Sequence, residues 1–507
     1  MTPLRLTWVQ PEDLLGHELT QATQDGREPS AITARWRAAG GPQAPSRAGA
    51  SPTPTSRYLR SLAEDLLDEL ADLPSRLADQ EPTDLTQIKA HCPDWPPPTA
   101  PPAPGAAPAN PAVGMRAPAT VPAVGMRAAR GGTGGHSGTP QAPGCAPTPT
   151  PTPTQAHLEA AWLGRAAGCL LGKPVEKLPL QGIRDLARAT GNWPLHTWFT
   201  AKGLPEELTH TYPWNKRSAQ TSLAENIDGM PEDDDLNYPL LNTLLIQRHG
   251  RDFTTTDVAR LWLDELPAGR TFTAERIAYR NLLTGIEPPR TARHRNPFRE
   301  WIGALIRADV HGWTNPGDPA AAAEQAHRDA TLTHTTNGVY AAMFTAATIA
   351  EAATGRSDVH ACLRTGLTVV PPGSRLAEAV RHAVQLARTT ENFDDLVDEL
   401  HTTHHAYHWV HAIPNTALIA AALTHADGDF SGSICRAVSG GWDTDSNGAT
   451  AGSIAGLLAG SPTALPDRWT TPLKNRLATS IADFNGTGFD TLAQLTHLLT
   501  RREAPRP

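Results

Sequence analysis

AVSGGWDTDSNGATAGSIAGL, the stretch Ala437–Leu457, joins an acidic turn to a helix made of small residues. Asp443 and Asp445 alternate around Thr444, and Ser446 follows them. The two preceding glycines let the backbone fold tightly, so several side-chain oxygens can point at one place. An Asx-type turn that caps a helix would use the same residue types. An acidic loop on a deeply packed helix is nevertheless difficult to explain without a bound cation.

Outward from this stretch, residues 155–499 consist of Ala- and Leu-rich segments with apolar side chains at helical spacing. Examples are LEAAWLGRAAGCLLG, VYAAMFTAATIAEAA and NTALIAAALTHA. Alternating strand patterns are nearly absent. We therefore predict an all-α domain over residues 156–500, in which small residues allow helices to approach closely. The small residues of the helix after the acidic turn are Gly448, Ala449, Ala451, Gly452, Ala455 and Gly456.

A second acidic segment, GMPEDDDLNYPL (Gly229–Leu240), places Glu232, Asp233, Asp234 and Asp235 directly before a predicted helix. Carboxylates at a helix N-terminus can cap free N–H groups and gain from the helix dipole, but one or two acids would be enough. Four adjacent acids repel one another unless solvent or a cation relieves them, and hard divalent cations take oxygen ligands. We predict that the two acidic segments share one metal site.

A third segment, LGRAAGCLLGKPVEKL (Leu163–Leu178), predicts a small-residue helix that ends at Gly172-Lys173-Pro174. Glu176 follows in the loop. By its local sequence alone, this glutamate is indistinguishable from an ordinary surface glutamate.

The N-terminal part of the chain has a different composition. Residues 1–92 contain two stretches with helical spacing, Pro11–Ala38 and Tyr58–Leu73. They form either a small helical module or an extension that packs on the main domain. Residues 93–155 are rich in Pro, Ala and Gly and contain the heptapeptide PAVGMRA twice. Because this segment cannot bury enough apolar surface to offset its ordering entropy, we predict a disordered linker.

Composition narrows the functional classes. The chain has 507 residues, a net charge of −8 and no run of Lys or Arg, which disfavours nucleic-acid binding through phosphate neutralisation. Its five cysteines are widely spaced without a CxxC pair, which disfavours a disulfide framework or a cysteine zinc site. The N-terminus lacks the apolar region of a signal peptide, and no apolar run is long enough to span a membrane. We expect a cytoplasmic monomer.

The segment HTTHHAYHWVH offers an alternative metal site. It places His401/His405 and His404/His408 four residues apart, which puts two imidazoles on one helix face, and His411 lies nearby. No HExxH pattern is present, and the acidic ligands are sufficient for a metal site. Zinc is therefore the less favoured interpretation.

Taken in chain order, the three segments resemble the ADP-ribosylglycohydrolase (dinitrogenase-reductase-activating glycohydrolase) family over about residues 157–500. GRAAGCLLGKPVE is similar to the family's opening helix and glutamate loop, PEDDD to its first metal motif, and GGWDTDSNGATAG to its second. The stretch around Thr333-His334 and the stretch HWVHAIPNTALIAAAL also resemble the family. The resemblance implies a compact multi-helix domain with orthogonal packing and a centre of two metal ions, usually Mg²⁺ or Mn²⁺.

The resemblance also implies roles for individual residues. The implied catalytic residues are Glu176, Asp233 and Asp234, of which Glu176 reaches toward the reacting ribose. The implied metal ligands are Glu232, Asp233, Asp234, Asp443, Asp445 and Ser446; the implied substrate contacts are His334, His411, Asn415, Gly440 and Gly441. One departure concerns the first motif, where the family has threonine on both sides of its two acids and this chain has Glu232 and Asp235. This departure weakens the inference about the substrate.

The function that follows is metal-dependent hydrolysis of an ADP-ribosyl or related ribosyl N- or O-glycosidic bond, with release of ADP-ribose. The expected substrate is an ADP-ribosylated protein or a small ADP-riboside. The alternatives are a non-catalytic ADP-ribose-binding or structural protein of the same fold, a glycohydrolase for a different nucleoside-like metabolite, and a two-metal phosphohydrolase. Retention of Glu176 and of both acidic segments argues against a non-catalytic protein.

Overall fold

Helices make up the regular secondary structure, apart from two isolated β-bridges, in the residues that the structure describes. The structure is a computed structural model, and it describes residues 8–44, 48–51, 55–97 and 153–501. No strand occurs within these ranges. The all-α prediction is therefore confirmed.

The helices fall into a small group before residue 98 and a large group after residue 152. The first group is α1 (Pro11–Gln24), α2 (Ser30–Ala38), α3 (Arg57–Asp72) and α4 (Leu85–His91). The second group is α5 (Gln155–Gly172), α6 (Leu180–Ala189), α7 (Glu206–Thr211), α8 (Ala219–Ser222), α9 (Asp234–His249), α10 (Thr255–Glu265), α11 (Thr273–Leu283), α12 (Asp309–Trp313), α13 (Pro319–Ala330), α14 (Thr336–Ala352), α15 (Val359–Leu367), α16 (Arg375–Thr389), α17 (Phe393–Thr403), α18 (Ala412–His425), α19 (Phe430–Ser439), α20 (Thr444–Ala459), α21 (Asp467–Thr470) and α22 (Phe489–Arg501).

The first predicted helical stretch, Pro11–Ala38, is two helices rather than one. The chain leaves α1 and turns before α2 begins. Gly26 adopts a φ of +73°, which L-residues with a side chain rarely adopt, and Pro29 has no N–H to continue a helix. The second predicted stretch, Tyr58–Leu73, corresponds to α3.

Helices α5 and α20 run antiparallel in very close contact. On α5 the facing residues are glycines at every fourth position. Gly164, Gly168 and Gly172 of α5 lie against the backbone of Gly452, Gly448 and Thr444 of α20. A Cβ atom at any of these three α5 positions would overlap backbone atoms of the opposite helix. The absence of side chains therefore permits this approach, which brings the C-terminal end of α5 and the N-terminal end of α20 to the same place.

Two apolar helices complete the surroundings of this pair. Nearly every residue of α14 and α18 is buried. Both helices carry apolar residues on all sides, as expected for helices surrounded by other helices. α18 packs on α16, α19 and α20, whereas α14 packs on α12, α13 and α15. Even so, no helix within the described ranges combines the length and the apolar character that are needed to cross a lipid bilayer.

The residues before the undescribed segment pack on the helical body through buried charge pairs. The Arg299 Nη1 atom lies 2.7 Å from a carboxylate oxygen of Glu18, and Arg375 Nη2 lies 2.7 Å from a carboxylate oxygen of Glu81. The sequence left open whether residues 1–92 form a small helical module or an extension that packs on the main domain. These contacts correspond to the packed extension. Most of the predicted 93–155 linker, including both PAVGMRA copies, lies outside the described residues. The bounds of the three predicted segments therefore stay predictions.

Candidate metal centre

Three carboxylates from two distant parts of the chain converge at one end of the α5–α20 pair. Glu176 follows the short 3-10 turn after α5, whereas Asp443 and Asp445 stand at the start of α20. One carboxylate oxygen of each residue lies within 4.8 Å of those of the other two. Both aspartates are only 6% exposed. The structure thus brings together three residues that the sequence predicted to share a site, and we call them the Glu176 cluster.

Burial and mutual repulsion strain the Glu176 cluster electrostatically. Burial raises the pKa of Asp445 to about 7, and the charge of Glu176 adds to the rise. The pKa of Asp443 is also raised well above its ordinary value, first by burial and then by the charges of Asp445 and Glu176. Among the described residues, no lysine or arginine forms a salt bridge with either aspartate. This set of oxygen donors fits a hard divalent cation, which would relieve the repulsion.

The carboxylate of Asp443 is not used to cap α20. Asp443 occupies the N-cap position, but its side chain accepts no capping hydrogen bond. The turn is held instead by Asn415, whose Oδ1 accepts the Asp443 N–H at 3.1 Å and the Asn447 Nδ2–H at 2.7 Å. Ser446, a further predicted ligand, is buried and donates its N–H to Asp445 at 3.1 Å. The Asx-type alternative therefore does not account for the Asp443 side chain.

The acids of the first segment have different partners. Asp233 is the N-cap of α9, where its side chain accepts the Asp235 N–H at 2.9 Å. The same carboxylate pairs with the buried ammonium of Lys173. Asp235 is 2% exposed and pairs with Arg165 at 3.3 Å. Helix capping thus explains part of the role of Asp233, and buried ion pairs hold Asp233 and Asp235 in place.

Asp234 belongs with the Glu176 cluster electrostatically. Burial raises the pKa of Asp234 well above its ordinary value, and the charges of Asp233, Asp445 and Glu176 raise it further. The charges of Asp445 and Glu176 therefore reach Asp234, although Asp234 is a member of neither group of potential ligands in the described residues.

A second acidic cluster lies next to the first. Cys169, Asp233 and Asp235 each offer a ligand atom within 4.8 Å of the others, and we call them the Cys169 cluster. The thiol of Cys169 donates to Asp235 Oδ2 at 3.8 Å. Burial, followed by the charge of Asp233, raises the pKa of this thiol well above its ordinary value, so it stays protonated at neutral pH. The described part of the chain therefore contains two clusters of groups that could hold a metal ion.

Glu232 is not part of either cluster. Its Oε2 atom pairs with Arg270 Nη2 at 2.8 Å, whereas Oε1 accepts hydrogen bonds from Asn237 at 3.3 Å and from Ser480. Because Glu232 lies in neither cluster, its role as a metal ligand stays a prediction. Glu232 and Asp235, the two departures from the family's motif, each have an arginine as their partner.

The surroundings of Glu176 contain groups that the sequence did not reveal. Asn215 Nδ2 donates to Glu176 Oε2 at 2.7 Å, and Lys177 Nζ lies 2.5 Å from Oε1. The Lys177 ammonium also lies 5.8 Å from the ring centroid of Trp409. The loop that carries Asn215 is tied to the α5 exit by the Asn215 N–H, which donates to the Pro174 carbonyl at 3.0 Å. Of these neighbours of Glu176, only Lys177 could have been found from the sequence, because it directly follows Glu176.

The predicted substrate contacts are divided between a loop and the interior. Gly440 and Gly441 lie in the turn between α19 and α20, where Gly441 adopts a φ of +79°. His334, His411 and Asn415 expose no surface in this structure. Asn415 supports the acidic turn, and the His411 ring accepts the Ile413 N–H at the start of α18. Their roles in substrate binding stay predictions.

The histidine segment is spread over separate contacts. The ring of His401 stacks on Trp442 with centroids 4.0 Å apart, and its Nε2–H donates to the Gly440 carbonyl at 2.8 Å. His408 stacks on Trp301 with centroids 4.3 Å apart. Within the described ranges, no group of three potential ligands includes a histidine. This arrangement lends no support to the zinc alternative.

Comparison with known proteins agrees with the resemblance seen in the sequence. The ADP-ribosylglycohydrolase family profile matches residues 150–506. No curated protein matches the chain. One similar solved structure, titled "ADP-ribosylglycohydrolase-related protein complex", shares 22% identity at a TM-score of 0.43, covering 68% of this chain and 98% of that chain. Because the family profile spans more than half of the chain, this protein belongs to the ADP-ribosylglycohydrolase family.

Proposed function

We propose that this protein is a divalent-cation-dependent hydrolase that cleaves the N- or O-glycosidic bond of an ADP-ribosyl or related ribosyl group and releases ADP-ribose. The observation that carries the proposal is the convergence of the Glu176, Asp443 and Asp445 carboxylates within 4.8 Å in a member of this family. A buried, mutually repelling set of carboxylates calls for a cation at neutral pH.

The residues that would hold the cation are those of the Glu176 cluster, with Asp234 beside them. Mg²⁺ or Mn²⁺ bound there supplies positive charge that positions sugar hydroxyls and lowers the pKa of a water molecule. Asn415 fixes the backbone of the acidic turn through the Asp443 N–H, so the turn is preformed before substrate arrives. The resemblance implies two ions.

Glu176 is the group best placed to handle the proton of the attacking water. Asn215 and Lys177 hold its two carboxylate oxygens, which fixes their direction beside Asp443 and Asp445. Cleavage of a ribosyl bond develops positive charge at the anomeric carbon. A carboxylate in this position accepts the proton of the water as the new C–O bond forms, and the neighbouring acids favour the developing positive charge.

The side chains of Lys177 and Trp409, which lie beside Glu176, suit a nucleotide-like substrate. Lys177 offers an ammonium and Trp409 an aromatic face, and the two lie 5.8 Å apart. An ammonium pairs with a phosphate group, and an aromatic face stacks on a base or sugar. We propose an ADP-ribosylated protein or a small ADP-riboside as the substrate.

The test uses the purified full-length protein, with and without Mg²⁺ or Mn²⁺, on a panel of ADP-ribosylated proteins and small ADP-ribosides. Free ADP-ribose is measured by mass spectrometry. We expect release that depends on the cation and is lost in the Asp443→Ala/Asp445→Ala variant. The matched control is the Asp467→Ala variant, because Asp467 is an exposed aspartate at the start of α21.

The products separate the alternatives. Release of AMP or phosphate in place of ADP-ribose would establish a phosphohydrolase and overturn the proposal. Binding of ADP-ribose without release from any substrate on the panel would support the non-catalytic alternative.

A further inference from the structure

The Cys169 cluster already contains a cation of its own. The ammonium of Lys173 contacts the Asp233 carboxylate and lies 3.4 Å from the Glu232 carbonyl oxygen. The Lys173 side chain is 8% exposed. It follows α5 directly and is therefore held on the same rigid element as Cys169. A divalent ion that entered this cluster would have to displace a tethered, buried ammonium.

The other groups of the Cys169 cluster are engaged as well. Asp235 pairs with Arg165 at 3.3 Å and accepts the Cys169 S–H at 3.8 Å. Arg165 is fully buried, and it also pairs with Asp309 at 2.9 Å. Every potential ligand of this cluster thus has a protein partner. Removing a buried charge from its partner is costly, since the charge left behind is neither hydrated nor paired.

The Glu176 cluster differs in this respect. The structure shows salt bridges from Lys173 and Arg165 to the acids of the Cys169 cluster, whereas in the described ranges none reaches Asp443 or Asp445. Lys177, whose side chain is 39% exposed, pairs with Glu176, and the charge of Lys173 reaches Asp445 without forming a salt bridge. The two aspartates of the Cys169 cluster are therefore paired directly with buried cations, whereas Asp443 and Asp445 are not.

We propose that Lys173 takes the place of one of the two metal ions that the family resemblance implies, so that the centre binds a single divalent cation at Glu176, Asp443 and Asp445. This inference rests on the proposed function, because it concerns the number of ions in the same site. Asp233 then serves as the counter-ion of Lys173.

The test counts bound ions rather than activity. The full-length protein is stripped with a chelator, exchanged into chelator-free buffer and titrated with Mn²⁺, and bound Mn²⁺ is counted by EPR and by calorimetry. We expect one equivalent for the unmodified protein. We expect two equivalents for Lys173→Met, because Asp233 then loses its ammonium partner and becomes free to bind a second ion.

Two further variants control for charge and for folding. Lys177→Met removes a lysine from the other cluster, and we expect it to keep one equivalent with tighter binding. Lys173→Met/Asp233→Asn removes both members of the buried pair, which leaves no unpaired charge, and we expect it to fold and to bind one equivalent. Circular dichroism confirms folding of each variant.

The outcomes distinguish this inference from the proposed function. Two equivalents in the unmodified protein would overturn the inference and leave the proposed function standing. An unchanged single equivalent in folded Lys173→Met, or a second ion in Lys177→Met, would also overturn the inference. No bound Mn²⁺ in any form of the protein would overturn the metal dependence of the proposed function, and the inference with it.

Discussion

Gly168 of α5 and Gly448 of α20 lie back to back, so a Cβ atom on either would overlap the carbonyl group of the other. Glu176 lies eight residues beyond Gly168, and Asp443 lies five residues before Gly448. Because the helices run antiparallel, the glycine contact sets the distance between the loop that carries Glu176 and the turn that carries Asp443. The geometry of the Glu176 cluster therefore depends on residues that have no side chains.

Alanine at Gly168 or Gly448 is expected to destabilise the protein. Overpacking in a core costs about 1–3 kcal/mol and more where a backbone group must move, whereas Gly→Ala in a helix gains only about 1 kcal/mol. We expect the free energy of unfolding to fall by about 2 kcal/mol or more, measured by urea denaturation. The control is Gly269→Ala, since Gly269 has nothing within 4 Å of a built Cβ. Unchanged stability of Gly448→Ala would contradict the close approach of the two helices.

Asn215 is expected to position Glu176. Its Nδ2 donates to the Glu176 carboxylate at 2.7 Å, and a hydrogen bond to a charged group is worth about 1.5–3 kcal/mol. We expect Asn215→Ala to lower kcat about tenfold with little change in KM, and Glu176→Gln to lower kcat by about 10²–10⁴. Release of ADP-ribose under saturating substrate measures both effects.

Asn226→Ala is the matched control for Asn215→Ala, because Asn226 is exposed and its side chain donates to the Ala219 carbonyl and not to a carboxylate. We expect its kcat to match that of the unmodified protein. Full activity in Glu176→Gln would remove Glu176 from the mechanism, and a larger loss in Asn215→Ala than in Glu176→Gln would contradict a positioning role.

The sequence predicted the parts of the site that depend on local pattern. Small residues after Ser446 indicated a deeply packed helix, and the acids at 443 and 445 indicated a cluster that the structure places beside Glu176. The stop signal Gly172-Lys173-Pro174 also coincides with the end of α5. These features can be predicted from the sequence because spacing and residue type alone determine them.

The side-chain partners could not be read from the sequence. Lys173 was part of a stop signal, and its pairing with Asp233 depends on a helix that begins some 60 residues later. Asn215 meets Glu176 only because its loop is tied to the α5 exit. A long side chain takes its direction from the tertiary contacts around it, and local spacing carries no information about them.

The N-terminal residues are expected to contribute to the stability of the whole. Glu81 is 3% exposed and accepts hydrogen bonds from Arg375 at 2.7 Å and from Asn337 at 2.8 Å. We expect Glu81→Ala to lower the free energy of unfolding by about 3 kcal/mol, because the backbone N–H and the Nε–H of Arg375 then lose the carboxylate that accepts them. Thermal and urea unfolding of the full-length variant measure the loss.

Glu69→Ala is the control for Glu81→Ala. Glu69 lies in the same N-terminal region and pairs with an arginine, Arg35, but both side chains are about half exposed. Exposed pairs contribute about 0–1 kcal/mol, so we expect a small change. Equal losses in the two variants would contradict a structural role for the buried Glu81 contacts.

In the cation-free protein, the contribution of Asp445 to stability is expected to fall as the pH rises from about 4 to about 7. The pKa of Asp445 is raised to about 7 by burial and by the charge of Glu176, whereas an unfolded aspartate titrates near 3.9. The folded state therefore binds more protons in this window, so the contribution of Asp445 is complete below pH 4 and is lost as the pH passes 7. Its full size is on the order of 4 kcal/mol, shared with the neighbouring acids.

Comparison of the unmodified protein with Asp445→Asn isolates this contribution. Buried histidines such as His17, whose pKa is lowered to about 4, act in the opposite direction, and they are common to both proteins. In chelator, we expect Asp445→Asn to be more stable than the unmodified protein at pH 8 and to lose that advantage at pH 4. Mg²⁺ or Mn²⁺ should stabilise the unmodified protein most at pH 8, because the ionised carboxylates bind the cation. Urea unfolding at pH 4, 6 and 8 measures both effects, with Asp467→Asn as the exposed control. If Asp445→Asn were less stable than the unmodified protein at pH 8 in chelator, the carboxylate would not be strained by its neighbours, and the electrostatic argument for a cation at this site would fail.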